Sequence, residues 1–262
     1  LLRLAFPLAL LLAQMPVQAQ RPAHFEPPAA PLAHAMELFD KAQYGAALHE
    51  FDRIAQQVRD LHGDLRVEAE FWGAISAVRL FHGDASHRLL AFIDAHPENF
   101  HVPAVRLELF RFYFDGKRWQ DALYWAVLVD ETALGTADRT EFTFKKGYAL
   151  FMHGDPDKAL LEFAEVKDGT GLYAAPATYY TAHINYEKGN HETALIGFKK
   201  LENDENFGKV VPSYIAEILF LQGKYDELNA YVEPMLNDGT NNRRETQINR
   251  LAGEANYRTG KY

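Results

Sequence analysis

Apolar residues in this chain recur at three- and four-residue steps. Ala216, Leu219 and Phe220 fall on one face of a helix, and so do Leu228, Tyr231 and Val232 a little further on. No stretch alternates apolar and polar residues between hairpin turn signals, as paired strands would. The chain is therefore predicted to be all-α. First helices are expected over 32–42, 65–82, 103–115, 138–153, 175–188, 212–222 and 242–258, with partners over 46–61, 85–95, 119–131, 156–166, 191–202 and 225–236. Pro103, Pro176 and Pro212 each open a first helix, where the missing N–H is harmless. Gly154, Gly189, Gly223 and Gly260 close first helices, where the chain must turn left-handed.

The turns between partners repeat. Their positions are Tyr44, Ala85, Trp119, Pro156, His191, Tyr225 and Tyr262, separated by 41, 34, 37, 35, 34 and 37 residues. A period of this size means stacked helical hairpins, none able to bury its apolar face without its neighbours. A small residue sits midway in the first helix (Gly147, Ala182, Ala216, Gly253) and another early in the second (Ala47, Ala122, Ala159, Ala194). Paired helix axes approach to ~8–10 Å, so the crossing point tolerates little side chain. An aromatic four residues after the second alanine (Phe51, Phe163, Phe198) stays on the same face and can wedge against the next hairpin.

At these residues the chain resembles the tetratricopeptide repeat (TPR) family, with its small residue, Gly-x-Tyr turn and Ala-x-x-x-Phe at ~34 residues per unit. The resemblance covers Leu32 to Tyr262 and is strongest in the middle. The second unit departs from it with Arg88 in place of Ala, and the sixth with Leu228 and Val232 in place of Ala and Phe. Armadillo and HEAT units run to ~40–47 residues, a length that suits only the second unit. The resemblance implies a right-handed superhelical solenoid of about six and a half units, mediating protein–protein interaction without catalysis.

Composition narrows the partners. With 262 residues, 48% hydrophobic and 24% charged, the chain can bury ample apolar surface. A net charge of −9 argues against nucleic acid and anionic membrane as partners. The absence of cysteine removes disulfides, thiolate metal sites and a lipid-acceptor thiol. Leu1 to Ala19 reads as a secretory signal lacking its start, with Arg3, an apolar core from Leu4 to Ala13, and Val17-Gln18-Ala19 as the small-x-small cleavage site. That core is too short for a membrane span, which needs ~20 residues. Gln20 to Pro31, with Pro22, Pro27, Pro28 and Pro31, reads as a linker. Residues 32–262 form the repeat region, expected to continue past Tyr262, where another second helix should begin. With its signal, the chain resembles the front end of the long exported TPR proteins of Gram-negative bacteria.

Candidate chemistry is sparse. His-Gly-Asp occurs at 62–64, 82–84 and 153–155, and capping accounts for it: His near a helix C-terminus, Gly for the reversal, Asp for the next N-cap. No His-x-x-x-His pair suggests zinc. Asn203 to Gly208 has Phe207 where a calcium ligand should stand, and reads as an inter-repeat loop. Asn237 to Asn242 is a turn signal. No nucleophile elbow, phosphate loop or metalloprotease motif is present, so no catalytic residue, metal or cofactor is expected.

The informative constellation is aromatic. In the TPR phase, first helices line the concave face, and the positions pointing into it hold Phe114, Phe144, Tyr148, Phe151, Tyr179, His183, Tyr186, Phe220 and Tyr257. Large rigid rings bury area at low entropic cost, as interfaces favour. Alternatively, several of them pack between adjacent helices as core. Family members that clamp a peptide's C-terminal carboxylate use Lys, Arg and Asn on successive first helices. Here those places hold Phe144, Tyr148, Tyr179, His183 and Ser213, with only Lys145 and Arg250 nearby, so that clamp is not expected. The expected function is an exported scaffold in the periplasm or at the outer membrane with a protein or peptide partner. The alternatives are a glycan- or peptidoglycan-associated accessory protein, or a solenoid fused to an effector beyond Tyr262.

Overall fold

The computed structural model describes residues 30–60, 63–236 and 243–261. The signal, most of the linker, His62, the 237–242 turn and Tyr262 lie outside the described residues. Among those residues the regular elements are α1 (Ala30–Asp40), α2 (Tyr44–Gln57), α3 (Asp64–Arg79), α4 (Ala85–Ala95), α5 (Val102–Asp115), α6 (Trp119–Ala126), α7 (Thr136–His153), α8 (Pro156–Val166), α9 (Ala174–Glu187), α10 (His191–Lys199), α11 (Val211–Leu221), α12 (Tyr225–Leu236) and α13 (Arg243–Thr259), with a 3-10 turn at Glu131–Ala133. No strand occurs among them. The fold is all-α. Ala30 and Pro31 already belong to α1, so the first helix starts two residues earlier than expected.

The chain divides into two compact units, Leu1–Ser76 and Ala77–Tyr262. In the first, Phe51 and Ile54 of α2 close over Ala35, Ala47 and Ala69, with Phe39 and Trp72 packed at the edge. In the second, neighbouring helices pair in chain order, α5 with α6, α7 with α8, α9 with α10 and α12 with α13. The small-residue reading holds at Ala47, Ala122, Ala159, Ala182, Ala194 and Ala216, all buried, as are Phe51, Phe163 and Phe198. Gly147 is a true crossing point: a Cβ there would lie 2.9 Å from Cε1 of Phe163. Gly197, not anticipated, is another, at 2.8 Å from the Ala182 Cβ. Gly253 is not one, because nothing lies within 4 Å of its would-be Cβ.

One turn recurs seven times. Gln43, His82, Arg118, Asp155, Asn190, Lys224 and Lys261 each donate their N–H to the carbonyl five residues back, at 2.8–2.9 Å. This is the Schellman closure, and it forces the residue before each donor into a left-handed φ. The later four turns use Gly154, Gly189, Gly223 and Gly260 as expected, whereas the first three use Ala42, Phe81 and Lys117.

That pattern corrects the second His-Gly-Asp. Phe81 makes the reversal rather than Gly83, and His82 lies beyond the helix end. The capping role of Asp is also corrected. Asp84 and Asp155 stand at N-cap positions without a side-chain bond to backbone. The Asp84 carboxylate instead meets His82 Nδ1 at 2.5 Å and Arg88 Nε at 2.8 Å, and Asp155 accepts from Lys158 at 2.6 Å. Arg88 can occupy its alanine site because Leu89 and Phe92 carry the burial of α4.

In the third unit, α6 stops at Ala126 rather than running to 131. Asp130 accepts from the Thr132 N–H at 3.0 Å and its hydroxyl at 2.6 Å, a local bond that competes with helix. The 203–208 segment is a turn, as expected. Asp204 Oδ1 accepts from the N–H groups of Asn206 (2.8 Å) and Phe207 (3.0 Å). The seventh first helix packs as its stripe predicts, with Ile248, Leu251, Ala252 and Ala255 buried in one cluster with Leu228 and Val232.

Candidate functional site

Five of the nine candidate rings occupy one place in successive first helices. Phe114, Phe151, Tyr186, Phe220 and Tyr257 sit near the ends of α5, α7, α9, α11 and α13. The other four, Phe144, Tyr148, Tyr179 and His183, lie one or two turns earlier on α7 and α9. None of the nine is fully buried, and Tyr257 is 68% exposed. The rest are half-buried.

Most of these rings touch. Phe114 meets Tyr148 edge-on at 5.8 Å, and both contact Trp119. Tyr148 meets Tyr180 at 5.0 Å, Tyr180 meets Phe151 at 5.7 Å, and Phe151 meets His183 at 5.9 Å. His183 stacks on Tyr179, and Tyr214 contacts Tyr179, His183 and Tyr186. The result is an aromatic ladder across α5, α7, α9 and α11. Phe220 pairs with Tyr225 beneath the guanidinium of Arg258, and Tyr257 stands apart in exposure.

Tyr180, Tyr214, Tyr173 and Phe207 complete the ladder and were not among the expected rings. Tyr214 could have been found, since it lies 35 residues, one repeat, after Tyr179. Tyr180 carries no such signal, because its partners come from α7 and α8. Burial, reinforced by the neighbouring Tyr148, raises the Tyr180 phenol above its ordinary value. Burial and then Glu217, which accepts from the phenol, push Tyr186 up to about 12. His183 contacts Glu187 at 3.3 Å through Nε2, while its Nδ1 is buried without a hydrogen-bond partner.

Beside the ladder lies an ion network. Arg111 donates to Glu108 (2.9 Å), Asp138 (2.7 Å) and Glu141 (2.7 Å), and Arg79 reaches the same Glu108 at 2.9 Å. Burial opposes the Arg111 charge, but the surrounding carboxylates outweigh it and hold the guanidinium above its usual value. Burial likewise opposes ionisation of Glu141, and Arg111 and Lys145 overcome it, so that carboxyl is lowered. Lys145, the cation near the clamp positions on α7, is engaged by Glu141 at 2.9 Å and Asp115 at 3.5 Å. Among the described residues no three His, Asp or Glu side chains converge as metal ligands, and no helix is long and apolar enough to cross a membrane.

Solved structures share this architecture. MamA of AMB-1 superposes with a TM-score of 0.55 at 20% identity, covering 68% of this chain and 92% of that one. A tetratricopeptide repeat protein from Parabacteroides merdae superposes with a TM-score of 0.55 at 12% identity, covering 89% and 87%. The chain has a TPR-like fold. No protein-family model and no curated protein matches the sequence. At these identities the likeness carries the fold, and the function is argued from the surface.

Proposed function

We propose that this chain is an exported interaction scaffold whose first helices hold a segment of a partner protein, with no catalytic step of its own. The observation that carries this reading is the ladder of half-buried rings repeated from one first helix to the next. Rings held edge-on by their neighbours are already ordered, so a partner loses little further entropy in covering them. Stacked hairpins suit an extended partner, since each repeat adds one step to a continuous surface. Action in the periplasm or at the outer membrane rests on the signal-like segment from Leu1 to Ala19.

A photo-crosslinking residue placed at Tyr148 or Tyr179 tests the reading in cells. Leu161, exposed on the second helix α8, is the comparison site. Crosslinks to one protein from the first-helix positions and none from Leu161 are expected. Crosslinks from Leu161 alone would contradict the reading.

A further inference from the structure

Resting on the groove reading above, we propose that a cleft at the α5 end of the ladder anchors the partner by a large apolar side chain flanked by carboxylates. The cleft has a volume of about 580 Å³, the scale of a ligand pocket, and is lined within the second unit by the end of α3 and the turn after it, by α5 and the turn after it, and by α7. Lys145 joins it to the ladder, lining the cleft while its ammonium sits 5.2 Å from the Phe114 ring centroid.

Phe81 points to recognition. It takes the left-handed φ of 53° that four later repeats give to glycine, and it is the only aromatic among the seven residues at this turn position. A left-handed φ is disfavoured for a bulky side chain. Burial does not explain the choice, since Phe81 is 85% exposed. The ring instead lines the cleft together with Val78 and Phe112. An unfavourable backbone holding an exposed ring against a cavity is the kind of local strain that functional sites retain.

Charge selects the flanking groups. Four cations and three carboxylates line the cleft. Two of the carboxylates are committed inward: Glu108 is 6% exposed and shared by Arg79 and Arg111, and Glu141 is shared by Arg111 and Lys145. The side chains of Arg79 and Arg118 remain 39% and 58% exposed, the first paired with Glu108 and the second with Asp121 at 2.8 Å, and Asp115 is the one exposed acid among the lining residues. Arginine's fork suits a carboxylate placed beside a buried ring.

The test uses calorimetry on the whole chain with three capped probe peptides. One has a central Phe flanked by Asp residues, the second has Lys for Asp, and the third has Ala for Phe. The acidic Phe peptide should bind about tenfold more tightly than either counterpart, the scale of one charge-assisted bond. Phe81→Gly should abolish that binding while leaving the thermal midpoint equal or higher, because glycine favours the left-handed turn. Arg79→Gln should remove the preference for Asp over Lys.

Equal binding of all three peptides, or Phe81→Gly binding like the parent, would overturn the proposal. No binding by any peptide would overturn it too. Tyr179→Gln separates the two readings: crosslinking lost there while Phe81→Gly changes nothing leaves the groove standing and removes the anchor.

Discussion

Gly147 and Gly253 hold the same place in their repeats, yet alanine at the two sites should move stability in opposite directions. At 147 the new Cβ would lie 2.9 Å from Phe163 Cε1 and 3.0 Å from the Glu162 Cβ. Carbon pairs prefer ~3.5–4.0 Å, so the ring or the helix must shift. Phe163 has little room, being fully buried and lying 5.8 Å from Tyr180 and 5.7 Å from Phe144. Overpacking of this kind costs ~1–3 kcal/mol, while replacing a helix-interior glycine by alanine returns ~1 kcal/mol. The expected net is a loss of about 1 kcal/mol, rising toward about 3 for leucine at Gly147 or at the buried Ala194. At 253 nothing lies within 4 Å, so only the helix term acts, a gain of about 1 kcal/mol. Lys188→Ala, on an exposed flank where the ammonium pairs with Asp157, should stay within ~0.5 kcal/mol. Urea unfolding followed by circular dichroism reads all of these. A Gly147→Ala midpoint at or above the parent, or a Gly253→Ala midpoint below it, would refute the assignment of crossing points.

Arg111→Gln removes the donor that Glu108 and Glu141 share and should cost about 2 kcal/mol, the scale of lost charge-assisted bonds, since Arg79 and Lys145 still pair the two carboxylates; a midpoint within error of the parent would show the network to be solvated. The Glu141 carboxyl is lowered in the fold, so its contribution is present above its ordinary value and lost as pH falls through the lowered one. Urea midpoints should therefore drop below about pH 4.5 less steeply in Arg111→Gln than in the parent. The Tyr186 phenol, raised to about 12, contributes stability that is complete below about 10 and lost as pH climbs through 12. Phenolate absorbance should then rise in two phases, the later coinciding with unfolding; one phase near 10 with the fold intact would contradict the buried hydroxyls. N-terminal sequencing of periplasmic protein should begin at Gln20, and retained Leu1–Ala19 would contradict export.

The helical pairs were legible because glycine, proline and apolar spacing mark them, and most boundaries fall within two residues of expectation. What stayed hidden depended on neighbours. Gly147 and Gly253 look alike in sequence, but only Gly147 meets an opposing helix. The reversals at Ala42, Phe81 and Lys117 lack the glycine that signals them, so the chain reads as though Gly83 turned it. Between the early end of α6 and the 3-10 turn, Asp130 takes two local bonds from Thr132, which periodicity cannot see. At the site, none of the nine rings is fully buried; Tyr214 follows Tyr179 by one repeat and is legible in that spacing, whereas Tyr180 is not, because it links rows rather than repeating a register.

Hydrogen exchange of the chain with and without its crosslinked partner tests most directly whether the first-helix face holds the partner. Slowed exchange across α7, α9 and α11, with α6, α8 and α10 unchanged, is the predicted result. Slowing confined to α6, α8 and α10 would contradict it.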